Sequence, residues 1–197
     1  MRRGGAVSSI ISEALDISAS QSVDGWLFST NAASAIAPPG VLNGLSALTS
    51  AGGQGAAGMA QDIAKLTETI SQAGIDTSDL TFFCDAGSAA KVEILASPKF
   101  TERVFPSTQI ASGTVICVAA RGFYTGFGAV PIQVEVNREA LLHYESATPL
   151  AIVDSSGTVA SPTTSLFQQD YLAINVRAQC TWIVHPGSVC FMTGCAW

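Results

Sequence analysis

"YLAINVRAQCTWIVHPGSVCFM", residues 171–192, is the stretch on which the fold turns. From Tyr171 to Val184 the even positions are Leu172, Ile174, Val176, Ala178, Cys180, Trp182 and Val184. The odd positions are Tyr171, Ala173, Asn175, Arg177, Gln179, Thr181 and Ile183. Alternation with a period of two predicts a strand with one buried face and one wetter face. At ~3.3 Å per residue it would run roughly 45 Å, which is long for a small domain. Pro186-Gly187 marks a turn, and a two-residue loop would set Val184 opposite Val189, Ile183 opposite Cys190 and Trp182 opposite Phe191. Pro-Gly also favours a type II turn, which splays strands instead of closing a tight hairpin.

The same stretch sets His185 between Cys180 and Cys190, with Cys195 following. In the hairpin register Cys180 and Cys195 share one face while His185 and Cys190 share the other, so four ligands would not converge on a tetrahedral ion. Paired CxxC spacing is absent. A nucleophilic Cys/His pair needs a thiolate beside a base and a third group to orient that base. Cys190 sits instead in apolar "SVCFM", and the other histidine, His143, lies in "LLHYE". Core thiols and a loop-edge imidazole are expected, with no metal and no catalytic residue.

The chain has 197 residues, enough for one sizeable core or two small lobes. Apolar residues make up 48% and charged residues only 12%, so apolar surface is left over for a partner, and oligomerisation is the simplest outlet. A net charge of -6 without clustered Lys or Arg excludes a dedicated nucleic-acid binder, leaving DNA contact weak and nonspecific. The five cysteines, at 84, 117, 180, 190 and 195, suit reduced, buried thiols in a cytoplasmic setting. Ser9, Ser12 and Glu13 interrupt any apolar signal core, and no run of 18 apolar residues predicts a membrane span.

Apolar spacing predicts helices over 7–18, over 57–73 with Met59, Ile63, Leu66 and Ile70 inward, and over 86–96 with Ala89, Val92, Ile94 and Leu95 inward. Gly74 should end the second helix and Asp85 should cap the third. Strands are expected at 80–84, 115–120, 132–136 and 150–154. Residues 24–44 read as turns around a short strand, and "GFYTGFG" (122–128) reads as a connection with Phe123 and Phe127 against the sheet. Asp76 and Asp79 are expected as turn formers, and Glu135 and Glu139 as exposed strand-end charges. The class is α+β.

One chemical rival stands beside this. In "GGQGAAG", Gly53, Gly55 and Gly58 fit GxGxxG, a helix follows, and Asp85 ends the next strand, the order of a dinucleotide-dependent enzyme. The preceding "VLNGLSALTS" lacks the continuous apolar run of a buried parallel strand, and Asp85 follows Gly58 at a longer spacing than the usual ~20 residues.

The arrangement resembles the major capsid proteins of tailed bacteriophages, with the Hong Kong 97-type fold. The segments that carry the resemblance are "PPGVLNG" (38–44), "SPKFTERVFPSTQIASGTVICVA" (97–119), "VEVNREALLHYESATP" (134–149) and above all "SLFQQDYLAINVRAQCTWIVHPGSVCFMTG" (165–194). It covers roughly residues 9–196. The resemblance implies a shell subunit with a peripheral-type lobe, residues 1–45 with 165–197, and an axial-type lobe, residues 46–164, to which the final strand would return. The first would hold a helix and the long ribbon, the second a mixed sheet flanked by helices. It implies self-association into hexamers and pentamers of a virion, with synthesis in the bacterial cytoplasm. Scaffold, protease and portal proteins are candidate further partners, and no cofactor or membrane is implied. An encapsulin-like cellular shell protein is the neighbouring alternative. Pro39, Gly40, Asn43, Gly44, Trp182, Pro186 and Gly187 are the implied architectural residues, with Arg177 as a candidate for an intersubunit ion pair. Family members usually begin with an N-terminal arm, an extended loop and a full spine helix. The resemblance starts near the end of that region, so a fragment, a truncated prophage product or a piece of a longer precursor is expected.

Overall fold

The structure, a computed structural model, describes residues 4–96, 100–137, 139, 141–143, 163–169 and 171–197. It is α+β. Among the described residues the elements run α1 (Gly4–Leu27), β1 (Leu48–Thr49), α2 (Gly55–Gln72), β2 (Leu80–Cys84), α3 (Ala86–Ala96), β3 (Arg103–Pro106), β4 (Val115–Ala119), β5 (Phe123–Asn137), β6 (Leu141–His143), β7 (Thr163–Ser165), β8 (Ala173–Val184) and β9 (Val189–Thr193). The chain divides into two compact units, one built from the described parts of Met1–Phe127 with Cys180–Trp197 and one from Gly128–Gln179.

The first unit is organised by a mixed sheet of order β1-β9-β4-β2-β3. β2 and β4 are antiparallel, with Phe82 opposite Cys117, and β4 and β9 are antiparallel, with Cys117 opposite Cys190. The two edge strands run parallel to their neighbours, β3 to β2 and β1 to β9. Strand alternation divides the core into two layers. Leu80, Phe82, Val115, Cys117, Cys190 and Met192 face α2 and α3, meeting Met59, Leu66, Ile70, Ala89 and Val92. Ile116, Val118, Val189 and Phe191 face the other way, toward Val41, Leu42 and Ile110.

α2 forms as its spacing predicts, with Leu66 and Ile70 fully buried. It stops in a Schellman motif: Gly74 N–H donates to Ser71 and Ile75 N–H to Ile70, while Gly74 takes φ +77°. α3 starts under the predicted cap, Asp85, whose carboxylate accepts from the backbone N–H groups of Gly87 and Ser88. Ala89 and Val92 point inward, but Ile94 is 77% exposed and Leu95 is exposed as well, against expectation. α3 offers the sheet a narrower stripe than its apolar content allows.

Four further expectations are corrected. The first helix runs 24 residues to Leu27, well beyond 18, because its last turn is anchored by Trp26, whose indole donates to Pro38 O. No strand forms between 28 and 47; the short strand comes later, at Leu48–Thr49. "GFYTGFG" is not a connection, since β5 begins at Phe123 and absorbs it; Phe123 packs on the second core layer, whereas Phe127 is 67% exposed. The hairpin register of 184 and 189 is also not adopted. β8 pairs with β5, while β9 leaves for the five-stranded sheet. The expected strand at 150–154 lies outside the described residues.

β8 keeps the predicted alternation from Ile174 on: Ile174, Val176, Cys180, Trp182 and Val184 are half-buried, and Asn175, Arg177, Gln179, Thr181 and Ile183 are exposed. Its start departs from expectation, since the strand begins at Ala173, which is half-buried, while Leu172 is exposed. In the second unit β6 and β7 pair antiparallel, with Leu142 opposite Thr164, and Leu166 is buried. No helix among the described residues is long and apolar enough to cross a membrane.

Candidate functional site

The splayed turn at the end of β8 builds the site. Ser188 N–H donates to His185 O at 3.0 Å and Gly187 takes φ +85°, the type II arrangement that Pro at the second position and Gly at the third favour. A Cβ at Gly187 would also press on the Ala73 Cβ, at 2.7 Å. Ser188 is fully buried and its hydroxyl donates to His185 O at 2.6 Å, while His185 N–H donates to Gly122 O. The turn is thereby held against the segment leading into β5.

Opposite it lies "PPGVLNG". Gly40 N–H donates to Asn31 O, Val41 N–H to Leu27 O and Asn43 Nδ2 to Thr30 O at 2.7 Å, which zips this loop to the end of α1. A Cβ at Gly40 would collide with the Ser29 backbone, so that approach needs glycine. Gly44 follows with φ +74°. The carbonyls of the two prolines each receive an indole N–H, Pro38 from Trp26 at 2.6 Å and Pro39 from Trp182 at 2.8 Å. Proline has no N–H of its own, so the carbonyl is its one backbone polar group.

Between the two segments is a cavity of about 630 Å³, whose walls include Pro39, Gly40, Asn43, Trp182, Pro186 and Gly187. Six of the seven residues implied as architectural in the sequence therefore meet around one space. His185 also lines it, with Nδ1 at 2.9 Å from Pro186 O. The indole donor of Trp182 is already spent on Pro39. The lining is thus mainly apolar wall and backbone, suited to packing contacts.

Arg177 lies elsewhere. Its guanidinium is 4.0 Å from Glu135 of the same chain, with both side chains largely exposed, a geometry worth little in water. Asp76 is a turn former: it accepts from Ser78 N–H and Oγ and pairs with Arg121 at 2.7 Å, and the Ser78 bonds lead in holding its carboxyl below the usual range.

The glycine-rich loop closes upon itself. Gly55 takes φ +67°, and a Cβ at Gly58 would strike the Gly53 carbonyl. Asp85 is committed to local donors, accepting from Ser88 Oγ at 2.6 Å and from the N–H groups of Gly87, Ser88 and Gly113. Burial raises the pKa of its carboxyl, and those four hydrogen bonds outweigh the burial and lower it.

Two of the thiols, Cys117 and Cys190, face each other across β4 and β9. Cys190 Sγ, on β9, donates to Leu66 O of α2, and Cys180 is half-buried on β8. Burial, and then the Asp85 charge, pushes the Cys84 thiol up to about 11; burial and then Asp62 push Cys195 up to about 12. Cys117 is raised as well, by its hydrogen bond with Cys190 and by burial. No group of three or more potential ligands that could hold a metal occurs among the described residues.

Sequence reasoning missed Asp62. It is fully buried on α2, accepting from Ser50 Oγ at 2.6 Å, Ala51 N–H at 2.8 Å and Trp197 Nε1 at 2.8 Å. Its signal was present: Asp62 falls three residues after Met59 and four before Leu66, inside the apolar stripe. Burial alone would raise its pKa, but the bonds from Ser50, Ala51, Trp197 and Cys195 prevail and lower it.

No protein-family model matches this chain, and no curated protein matches it.

Proposed function

We propose that the chain is a structural subunit of a phage or prophage icosahedral capsid, of Hong Kong 97-type fold, that self-associates into hexamers and pentamers of a shell enclosing DNA. Its role on this reading is assembly and not catalysis, and it works in the virion after synthesis in the bacterial cytoplasm. The observation that carries the reading is the exposure of α1. Over residues 10–22 nearly every side chain faces solvent, with Ile10 and Ile17 65% and 52% exposed. A helix gains most of its stability from packing an apolar face, so apolar residues left bare on one call for a neighbouring molecule. The meeting of "PPGVLNG" with the end of the long strand adds support, since both segments belong to the resemblance and Trp182 joins them. A net charge of -6 leaves packaged DNA held by confinement more than by contact.

The test is sedimentation velocity and negative-stain electron microscopy of the purified chain, alone and with any upstream segment that its gene encodes. Ring-shaped hexamers and pentamers, or closed shells, are expected. A compact monomer under every condition would overturn the proposal.

A further inference from the structure

Between Asp24 and Asp62 the sequence contains no Asp, Glu, Lys, Arg or His. Within that uncharged run Ile36 is 96% exposed. The turn that carries it is tied down: Ser34 N–H donates to Ala37 O at 2.9 Å, and Ser34 Oγ accepts from the N–H groups of Ile36 at 3.3 Å and Ala37 at 3.1 Å. The next residue, Pro38, is fixed by Trp26. Ile36 is thus a presented apolar knob.

The same unit contains a matching hole. A cavity of about 300 Å³ is walled by Phe28, Phe83, Phe105 and Phe123. Phe83 lies 5.1 Å from Phe28 and 5.7 Å from Phe105, centroid to centroid. Phe105 is 48% exposed on β3, one of the two edge strands of the sheet. An apolar cavity of about 150 Å³ already takes a benzene-sized molecule, so this one accommodates a branched aliphatic side chain with its neighbouring methyl groups.

We infer that Ile36 of one copy seats in the Phe28, Phe83, Phe105 and Phe123 pocket of a second copy of this chain. The inference rests on the self-association proposed above and names its contact. Two features favour a second copy as the occupant. Both copies carry a net charge of -6, and a segment without charged groups is where two equally acidic molecules touch with least repulsion and without burying an ion. One isoleucine also buries far less than the ~1,000 Å² that a lasting dimer needs, so the contact holds only when it is repeated. Knob and hole are different patches, which makes the contact head-to-tail, and such contacts close into rings when the rotation from copy to copy closes and build open filaments when it does not.

The experiment compares wild type with Ile36→Ser and Phe105→Ser by concentration-dependent light scattering, and then links copies covalently. Ile36→Ser, at a fully exposed position, leaves the fold intact and raises the concentration for half-assembly by about tenfold or more. Phe105→Ser is read beside its melting curve. For linkage, Ile36→Cys and Phe105→Cys copies are mixed with glutathione disulfide. One introduced thiol from each copy joins in a disulfide, and the oxidant is reduced to two glutathiones. Mass spectrometry should find the peptide linking positions 36 and 105, absent from wild type. A wild type that assembles while Ile36→Ser assembles equally well, or links that join 36 only to 36, overturns the inference and leaves the assembly reading standing. A wild type that stays monomeric at all concentrations overturns both.

Discussion

Trp197 donates its indole N–H to Asp62 at 2.8 Å, tying the segment after β9 to a fully buried carboxylate on α2. Three further donors, from Ser50, Ala51 and Cys195, act on the same carboxylate. Its pKa is lowered in the fold, whereas an unfolded aspartate titrates near ~3.9. Between those values the unfolded chain binds more protons, so stability rises with pH there. The contribution is complete above about pH 5 and is lost as acid carries the solution down through the folded value. Asp85 adds to the same window with the same sign. Asp62→Asn should lower stability at pH 7 by about 2 kcal/mol and flatten the acid limb. Urea melts from pH 2 to 7 check this, and equal slopes in variant and wild type would refute the assignment.

Gly58→Ala brings a methyl group against the Gly53 carbonyl and should cost about 2 kcal/mol. Gly55→Ala has open space around it but keeps φ +67°, and should cost about 1–2 kcal/mol. Those penalties belong to a loop that packs on itself. NAD and NADP at sub-millimolar concentration should leave the melting temperature unchanged; a clear rise would revive the dinucleotide alternative, because a bound ligand stabilises the fold by mass action.

Trp182→Phe keeps a ring beside the large cavity and removes the donor to Pro39 O. A loss of about 1 kcal/mol is expected, read as a lower urea midpoint with unchanged slope. Trp26→Phe should behave alike, since its indole serves the adjacent carbonyl. An unchanged midpoint in both would mean that water replaces the indoles at no cost.

The thiol of Cys84, at about 11, and that of Cys195, at about 12, stay protonated at pH 8. A disulfide reagent added to native protein should therefore react first at Cys180, which is half-buried on β8, and reach Cys84, Cys117 and Cys190 only after unfolding. The pH sign is opposite to that of the aspartates. Above about 8.5 the unfolded thiols ionise while the folded ones do not, so their contribution to stability falls from there toward pH 11–12. Fast modification of Cys84 in the native protein would contradict the burial.

Local chemistry was legible along the chain. The cap at Asp85, the stop at Gly74, the stripe of α2 and the alternation of β8 each depend on neighbours within a few residues, and each forms. The type II character of Pro186-Gly187 was legible for the same reason. Partner choice was not. Val184 and Val189 were expected face to face, yet β9 pairs with β4 and β1, because a buried run of Val189, Cys190, Phe191 and Met192 gains more between two strands than on one. Asp62 broke the apolar stripe without revealing that Ser50, Ala51 and Trp197 would satisfy it.

By itself, then, the sequence determined the periodicities, the caps, the turn and the α+β class, since these arise from backbone geometry and nearest neighbours. Only the tertiary structure decided that Pro39 and Trp182, 143 residues apart, would share a hydrogen bond and a cavity wall. It also decided that Ile36 would stand clear of every core it could have entered. Long-range contacts depend on which buried surfaces the whole chain can satisfy at once, and no local window contains that competition.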